Sequence, residues 1–239
     1  MPESKTPPHP TLHPHGEPLR TRMAEHLRNF ERRALPLDGR RAAAVTVLVV
    51  EGEARGSHEP GEQAGGDRTP ESRPREREAC FVLTRRAPRL RAHGGQWALP
   101  GGSLDPGEDA VAAALRESRE EVGADCAETD VLGLLDDYPT RSGFVITPVV
   151  VWAGPSARLQ ANPAEVAELH RVPLADLEAP GVPRLRTIPE SPRPVISVPI
   201  VGVHVHAPTA AILYQFRELA LRGQVTRVDH FEQPVFAWR

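Results

Sequence analysis

The chain is poor in several features that would mark particular classes of protein. Its 239 residues include two cysteines, Cys80 and Cys126, in no CxxC or other ligand spacing, which excludes a disulfide scaffold and a cysteine-built zinc site. Two such thiols are expected to be free and buried, and a reducing, cytoplasmic setting fits them best. Aromatic residues are 5% of the chain, and no run approaches the ~20 apolar residues needed to cross a bilayer. An excess of one charge is missing too. The 29 basic and 32 acidic residues leave a net charge of -3, so nothing global argues for nucleic acid or a membrane surface as partner. An anionic ligand would need a local basic patch or a metal ion. Residues 1–18, rich in Pro and His, lack the apolar stretch of a secretory signal or anchor. They are expected to form a solvated arm in which His9, His13 and His15 carry no function.

What the chain does contain is enough for one large domain with appendages. Leu19, Met23, Leu27 and Phe30 recur at helical spacing between residues 17 and 33. They predict an amphipathic helix that lies on the domain or, as the alternative, pairs with a second subunit in a homodimer. The expected organisation is an arm and helix over 1–39, a main domain over 40–222, and a tail over 223–239 that docks by Phe231, Phe236 and Trp238. The run AAAVTVLVV (42–50) reads as a buried first strand and ACFVLT (79–84) as the second. Between them, residues 51–78 hold almost no large apolar side chain and are expected to be a flexible insertion, with a lid or interaction segment as the alternatives. Residues 130–136 and 143–153 predict a hairpin over the site, and 162–169 a short helix or turn. A strand is expected over 195–205, placing His204 and His206 on one side, although no third zinc ligand accompanies them. Residues 208–222 predict an amphipathic helix built on Ala211, Leu213, Phe216, Leu219 and Ala220.

The densest pattern is GGSLDPGEDAVAAALRESREEVGA (101–124). A helix over 108–122 places Glu117, Glu120 and Glu121 at i, i+3 and i+4, on one face. Carboxylates at that spacing repel each other, Arg116 and Arg119 relieve this only in part, and a divalent cation is the natural missing partner. Val111, Leu115, Ser118 and Val122 form the expected core-facing stripe. Asp105 is the expected N-cap, with Pro106 at the first helical position and Glu108 closing a capping box, while Gly123 supplies the stop. Gly101 and Gly102, without Cβ atoms, allow the backbone to approach a ligand or the helix closely.

Gly102, Glu108, Arg116-Glu117, Glu120-Glu121 and Gly123, at their spacing, resemble the Nudix box of the Nudix hydrolases, with Ser118 where that family usually has a bulky apolar residue. The resemblance implies an α/β fold, an α/β/α sandwich with a mixed sheet. It implies hydrolysis of a diphosphate linkage, with Mg²⁺ or Mn²⁺ held by Glu117, Glu120 and Glu121. Glu120, Glu117 or a loop acid such as Glu165 would take the proton from the attacking water, with Glu168 as the alternative loop acid and Arg116 orienting a glutamate. Ahead of the box, Leu83-Thr84, Arg86-Ala87, Arg91, Gly95 and Pro100-Gly101-Gly102 resemble the signature of coenzyme A pyrophosphatases, from which Val82 and Leu99 depart. TRSGFVITPVV (140–150) and HAPTAAIL (206–213) are also similar to that group, although its usual Trp-Gly before the Thr-Ala is absent. This second resemblance implies a small-molecule nucleoside diphosphate substrate, coenzyme A or acyl-coenzyme A, cut to 3′,5′-ADP and (acyl-)4′-phosphopantetheine. Arg85, Arg86, Arg89 and Arg91 become candidates for phosphate contacts, or simply solvated charges, and Gly101 and Gly102 line the approach. The alternatives are another nucleoside diphosphate derivative, such as ADP-ribose or a dinucleotide, and a non-catalytic ligand-binding module. Against the last stands the complete carboxylate set.

Overall fold

The computed structural model describes residues 12–52, 77–89, 94–155 and 157–238. Most of the expected insertion, His9 of the arm, and Arg91 lie outside the described residues. The first helix, α1 (Glu17–Arg28), buries Leu19, Met23 and Leu27 as its spacing predicts. The main sheet follows with β1 (Arg41–Glu51), β2 (Ala79–Arg86), β3 (Trp97–Ala98) and β4 (Gly101–Ser103). After helix α2 (Ala110–Val122) come β5 (Val131–Leu134), β6 (Tyr138–Pro139), β7 (Phe144–Trp152) and β8 (Val166–Pro173).

The β-branched run of β1 lies at the centre of this sheet. It pairs in parallel with β7 from Arg41↔Phe144 to Val49↔Trp152, and antiparallel with β2 and β4. The remaining pairs are β2 with β3 and β8, and β7 with β5 and β6, all antiparallel, so the sheet is mixed. A strand buried on both faces needs apolar side chains on both, and β1 supplies them. Ala44, Leu48 and Val50 meet Ala113, Ala114 and Val122 of α2 on one face. On the other, Val47 and Val49 join a larger core with α1 and the C-terminal elements. The α/β/α layering is as expected.

Several details differ from the expectations. The hairpin of residues 130–153 does not cover the site, because its second strand, β7, is an interior strand between β1 and β5. Residues 12–16 are not a solvated arm: Ala79 N–H donates to His13 O at 2.7 Å, His15 N–H to Arg77 O at 2.7 Å, and the His15 ring stacks on Trp152. Leu27 packs on Gly133, so the apolar stripe of α1 is covered within the chain. Cys80 is buried and Cys126 half-buried.

The C-terminal third adds a short helix, α3 (Leu174–Leu177), and a second sheet of β9 (Arg184–Ile188), β10 (Ser191–Ile200) and β11 (Val203–His206) in the order β11-β10-β9. The single strand expected over 195–205 is thus a hairpin, turned at Val201-Gly202, both with positive φ. Helix α4 (Thr209–Phe216) continues as a π-turn through Leu221 and is buried nearly all round, not amphipathic. Its polar residues are satisfied internally. Gln215 donates to Asp136 and to Thr226 O, while Arg217 donates to Glu218 and to the carbonyls of Leu177 and Val182. Among the described residues no helix is long and apolar enough to cross a membrane.

Candidate active site

The site forms where β4 crosses the start of β1 and hands the chain to α2. Gly101 pairs with Val45, and a Cβ there would lie 2.7 Å from Val45 Cα, so only glycine lets β4 close on β1. At Gly102 a Cβ would lie 2.6 Å from Glu117 Cδ. One glycine thus admits the strand and the next admits a carboxylate.

Helix α2 starts later than its sequence suggests. Its N-cap is Asp109, which accepts from Ala112 N–H at 2.8 Å, and not Asp105. Glu108 instead closes the preceding turn by accepting from Asp105 N–H at 2.9 Å, and the same carboxylate accepts from Arg116. Gly123 ends the helix in the left-handed region, as predicted. The buried face is carried by Ala113, Ala114, Ser118, Glu121 and Val122, with Val111 and Leu115 only half-buried. Ser118 has a physical partner: its Oγ lies 2.8 Å from Thr46 Oγ1 and 2.7 Å from Ala114 O. A buried hydroxyl pair therefore bridges α2 to β1 where a bulky apolar side chain would pack.

The three box glutamates have different surroundings. Glu121 is 2% exposed, accepting from Gly101 N–H at 3.2 Å and from Arg86 Nη1 at 3.2 Å. Glu117 lies behind Gly102 and accepts from Arg116 Nη1 at 2.8 Å. Glu120, about half exposed, also accepts from Arg116 Nη1, at 3.2 Å. Arg116 further holds Glu108 through two nitrogens and Ser103 O through a third contact, so its guanidinium is fully occupied in fixing the start and middle of the helix.

The fourth carboxylate arrives from elsewhere in the chain. The segment after β7 is strapped to the end of α2 by Gln160 N–H to Val122 O at 2.9 Å and Asn162 N–H to Glu121 O at 2.8 Å. Asn162 then caps a tight turn by accepting from Ala164 N–H, and Glu165 O receives Ala87 N–H at 2.7 Å from the end of β2. This places Glu165 with Glu117 and Glu121, each offering an oxygen within 4.8 Å of the others. Glu120 is not in that trio. Glu168, the alternative loop acid, lies on β8, bonded to Arg85 at 2.8 Å and to His170 at 3.1 Å. The positioning residue that the sequence reading missed is Asn162. Its signal was the Asn-Pro dipeptide, a turn former.

Three carboxyl groups so close cannot all carry charge cheaply. Burial, reinforced by Glu117 and Glu165 and opposed by Arg86, pushes Glu121 up to about 7, and burial also raises Glu117. Glu108 is pulled the other way by its bonds to Arg116. The oxygen donors fit a hard divalent cation, which Glu117, Glu121 and Glu165 could hold.

A pH dependence follows. A cation competes with the proton on Glu121, so affinity is full above pH 7 and falls below it. Calorimetric titration with Mg²⁺ is expected to show roughly tenfold weaker binding at pH 6 than at pH 8; equal affinity would contradict a raised Glu121.

Of the candidate phosphate contacts, Arg86 points at Glu121, Arg85 is engaged by Glu168 and Gly95 O, and Arg89 donates to Pro163 O. Arg86 is the one in direct contact with the carboxylate trio.

The Nudix hydrolase NudL of Photorhabdus laumondii subsp. laumondii, itself described as uncharacterized, is 44% identical over 97 residues, 40% of this chain and 52% of the relative. NudL of Cronobacter sakazakii is 42% identical over 100 residues, 41% of this chain and 52% of the relative. The chain therefore spans about half the length of the curated relatives it matches. A solved Nudix hydrolase from M. smegmatis, RenU, aligns with 79% of this chain and 91% of its own, at 21% identity and a TM-score of 0.45. The NUDIX domain model matches residues 72–191, half of the chain including the whole carboxylate helix, and the protein belongs to the NUDIX domain family.

Proposed function

We propose that this protein hydrolyses the diphosphate linkage of a nucleoside diphosphate derivative, and that the derivative is coenzyme A or acyl-coenzyme A. The observation that supports hydrolysis is the carboxylate trio of Glu117, Glu121 and Glu165, each offering an oxygen within 4.8 Å of the others, with Glu117 packed against Gly102. A divalent cation held there would supply counter-charge to the diphosphate and polarise its phosphoryl oxygens. The chain's own residues do the rest. Arg116 fixes Glu117 and Glu120, and Gly101 N–H fixes one oxygen of Glu121. Glu120, half exposed and off the trio, can accept a proton from an attacking water; Glu165, at the mouth of the turn, is the other acceptor. The products from coenzyme A would be 3′,5′-ADP and 4′-phosphopantetheine. The pre-box signature supports this substrate, and two cysteines in no ligand spacing fit a cytoplasmic setting.

A second reading, ADP-ribose or a dinucleotide as substrate, is favoured by the prior engagement of Arg85 and Arg89, which leaves fewer cations free for a 3′-phosphate. Product identification with Mg²⁺ and a panel of coenzyme A, dephospho-coenzyme A and ADP-ribose separates the two. Coenzyme A is expected to be cut fastest. Equal rates on all three would remove the 3′-phosphate from the argument, and binding without cleavage of any would leave a ligand-binding module.

A further inference from the structure

A second cluster sits at the same end of the main sheet as the carboxylates but on the opposite face. Along β2, Phe81 and Leu83 belong to the core shared with α1 and α4, and Arg85 continues that face. Their partners on β8 are Val172, His170 and Glu168, and Trp97 of β3 pairs with Arg85 from the other side. The row thus turns from apolar to aromatic and charged as it reaches the end of the sheet. The Trp97 and His170 rings lie 5.1 Å apart between centroids, His170 Nε2 is 3.1 Å from Glu168 Oε2, and Arg85 Nη1 is 2.8 Å from Glu168 Oε1. The side chains of Arg85, Glu168 and His170 remain 33–43% exposed. The next residue, Arg86, points through the sheet to Glu121.

We propose that Trp97 and His170 are the platform on which the nucleobase of the ligand stacks, with Glu168 and Arg85 serving the base edge and ribose hydroxyls. The identity of the ligand rests on the diphosphate reading above; the binding itself does not. The planes of the indole and the imidazole are 59° apart, so a base that stacks on one ring meets the other at an angle, and the adjoining carboxylate and guanidinium offer an acceptor and donors beside them. Adjacent residues on a strand point to opposite faces, so Arg85 and Arg86 connect this platform to the carboxylates across the end of β2.

The test is binding of AMP and of ribose 5-phosphate in the presence of chelator, by calorimetry, to the wild type, Trp97→Phe, Trp97→Leu and His170→Leu. The wild type is expected to bind AMP at least tenfold more tightly than ribose 5-phosphate, since one stacked base is worth a tenfold to hundredfold factor in affinity. Trp97→Leu and His170→Leu are expected to lose that preference and Trp97→Phe to keep most of it. Mn²⁺ binding measured alone confirms that each variant is folded; His170, a third exposed, keeps the test open if Trp97→Leu unfolds. Equal wild-type affinity for AMP and ribose 5-phosphate, or undiminished AMP preference in folded Trp97→Leu or His170→Leu, would overturn the platform. A protein that prefers AMP but cleaves no diphosphate loses the hydrolase reading alone; one that cleaves without a base preference loses the platform alone.

Discussion

Glu121→Gln is expected to abolish divalent-cation binding and to lower diphosphate cleavage by at least about a hundredfold, since even residues that only support metal ligands are worth roughly 10- to 100-fold. The substitution is close to isosteric. Its amide oxygen can still accept from Gly101 N–H, so the junction of β4 with α2 is kept, while the one charge that is both buried and crowded by Glu117 and Glu165 disappears. Stability should therefore move opposite to activity. A carboxyl whose folded value is raised to about 7 favours the folded chain while protonated, and that contribution is lost as pH rises from the ordinary carboxylate range through 7. At pH 8 without metal the variant should melt no lower than the wild type, and added Mg²⁺ should raise the melting temperature of the wild type alone. Glu120→Gln, at a half-exposed carboxylate outside the trio, should bind Mg²⁺ nearly as the wild type does. A Glu121→Gln protein that binds Mg²⁺ normally would remove this residue from the cation site.

The difference between Glu120 and Glu121 marks how far the sequence could be read. Helical spacing puts both on the same side of α2, but exposure depends on what packs against that side, and the strap from Gln160 to Glu165 lies far along the chain. It covers Glu121 and leaves Glu120 open. Glu165 itself could be named as a candidate but not separated from Glu168, because the choice turns on the β2–β8 register and on the Asn162 turn. The N-cap was misplaced by four residues because both Asp105 and Asp109 have a cap's chemistry. What decides is that the Asp109 side chain accepts from Ala112 N–H, while Glu108 closes the turn before it on Asp105 N–H. Helix α4 looked amphipathic because polarity in sequence does not reveal buried partners. Asp136, Leu177 and Val182, which satisfy Gln215 and Arg217, are dozens of residues away. The strands of the main sheet and the glycine loop were legible because β-branched runs and paired glycines act locally.

Those two glycines should fail in different ways. In Gly102→Ala the new methyl meets the end of the Glu117 side chain, 2.6 Å from Cδ, and a carboxylate can rotate away. The fold is then kept, but Glu117 leaves both the trio and its 2.8 Å bond from Arg116, so cleavage should fall by about a hundredfold or more with the melting temperature little changed. In Gly101→Ala the methyl meets the backbone of β1, at Ala44 O and Val45 Cα, which cannot move without opening the centre of the sheet. Overpacking of that kind costs about 1–3 kcal/mol, so this variant should show a fall of several degrees in melting temperature alongside lost activity. Thermal unfolding and Mg²⁺-dependent cleavage measured on both proteins decide the matter. If Gly102→Ala is as unstable as Gly101→Ala, the glycine serves the strand and not the carboxylate; if it is stable and fully active, Glu117 does not need the space behind it.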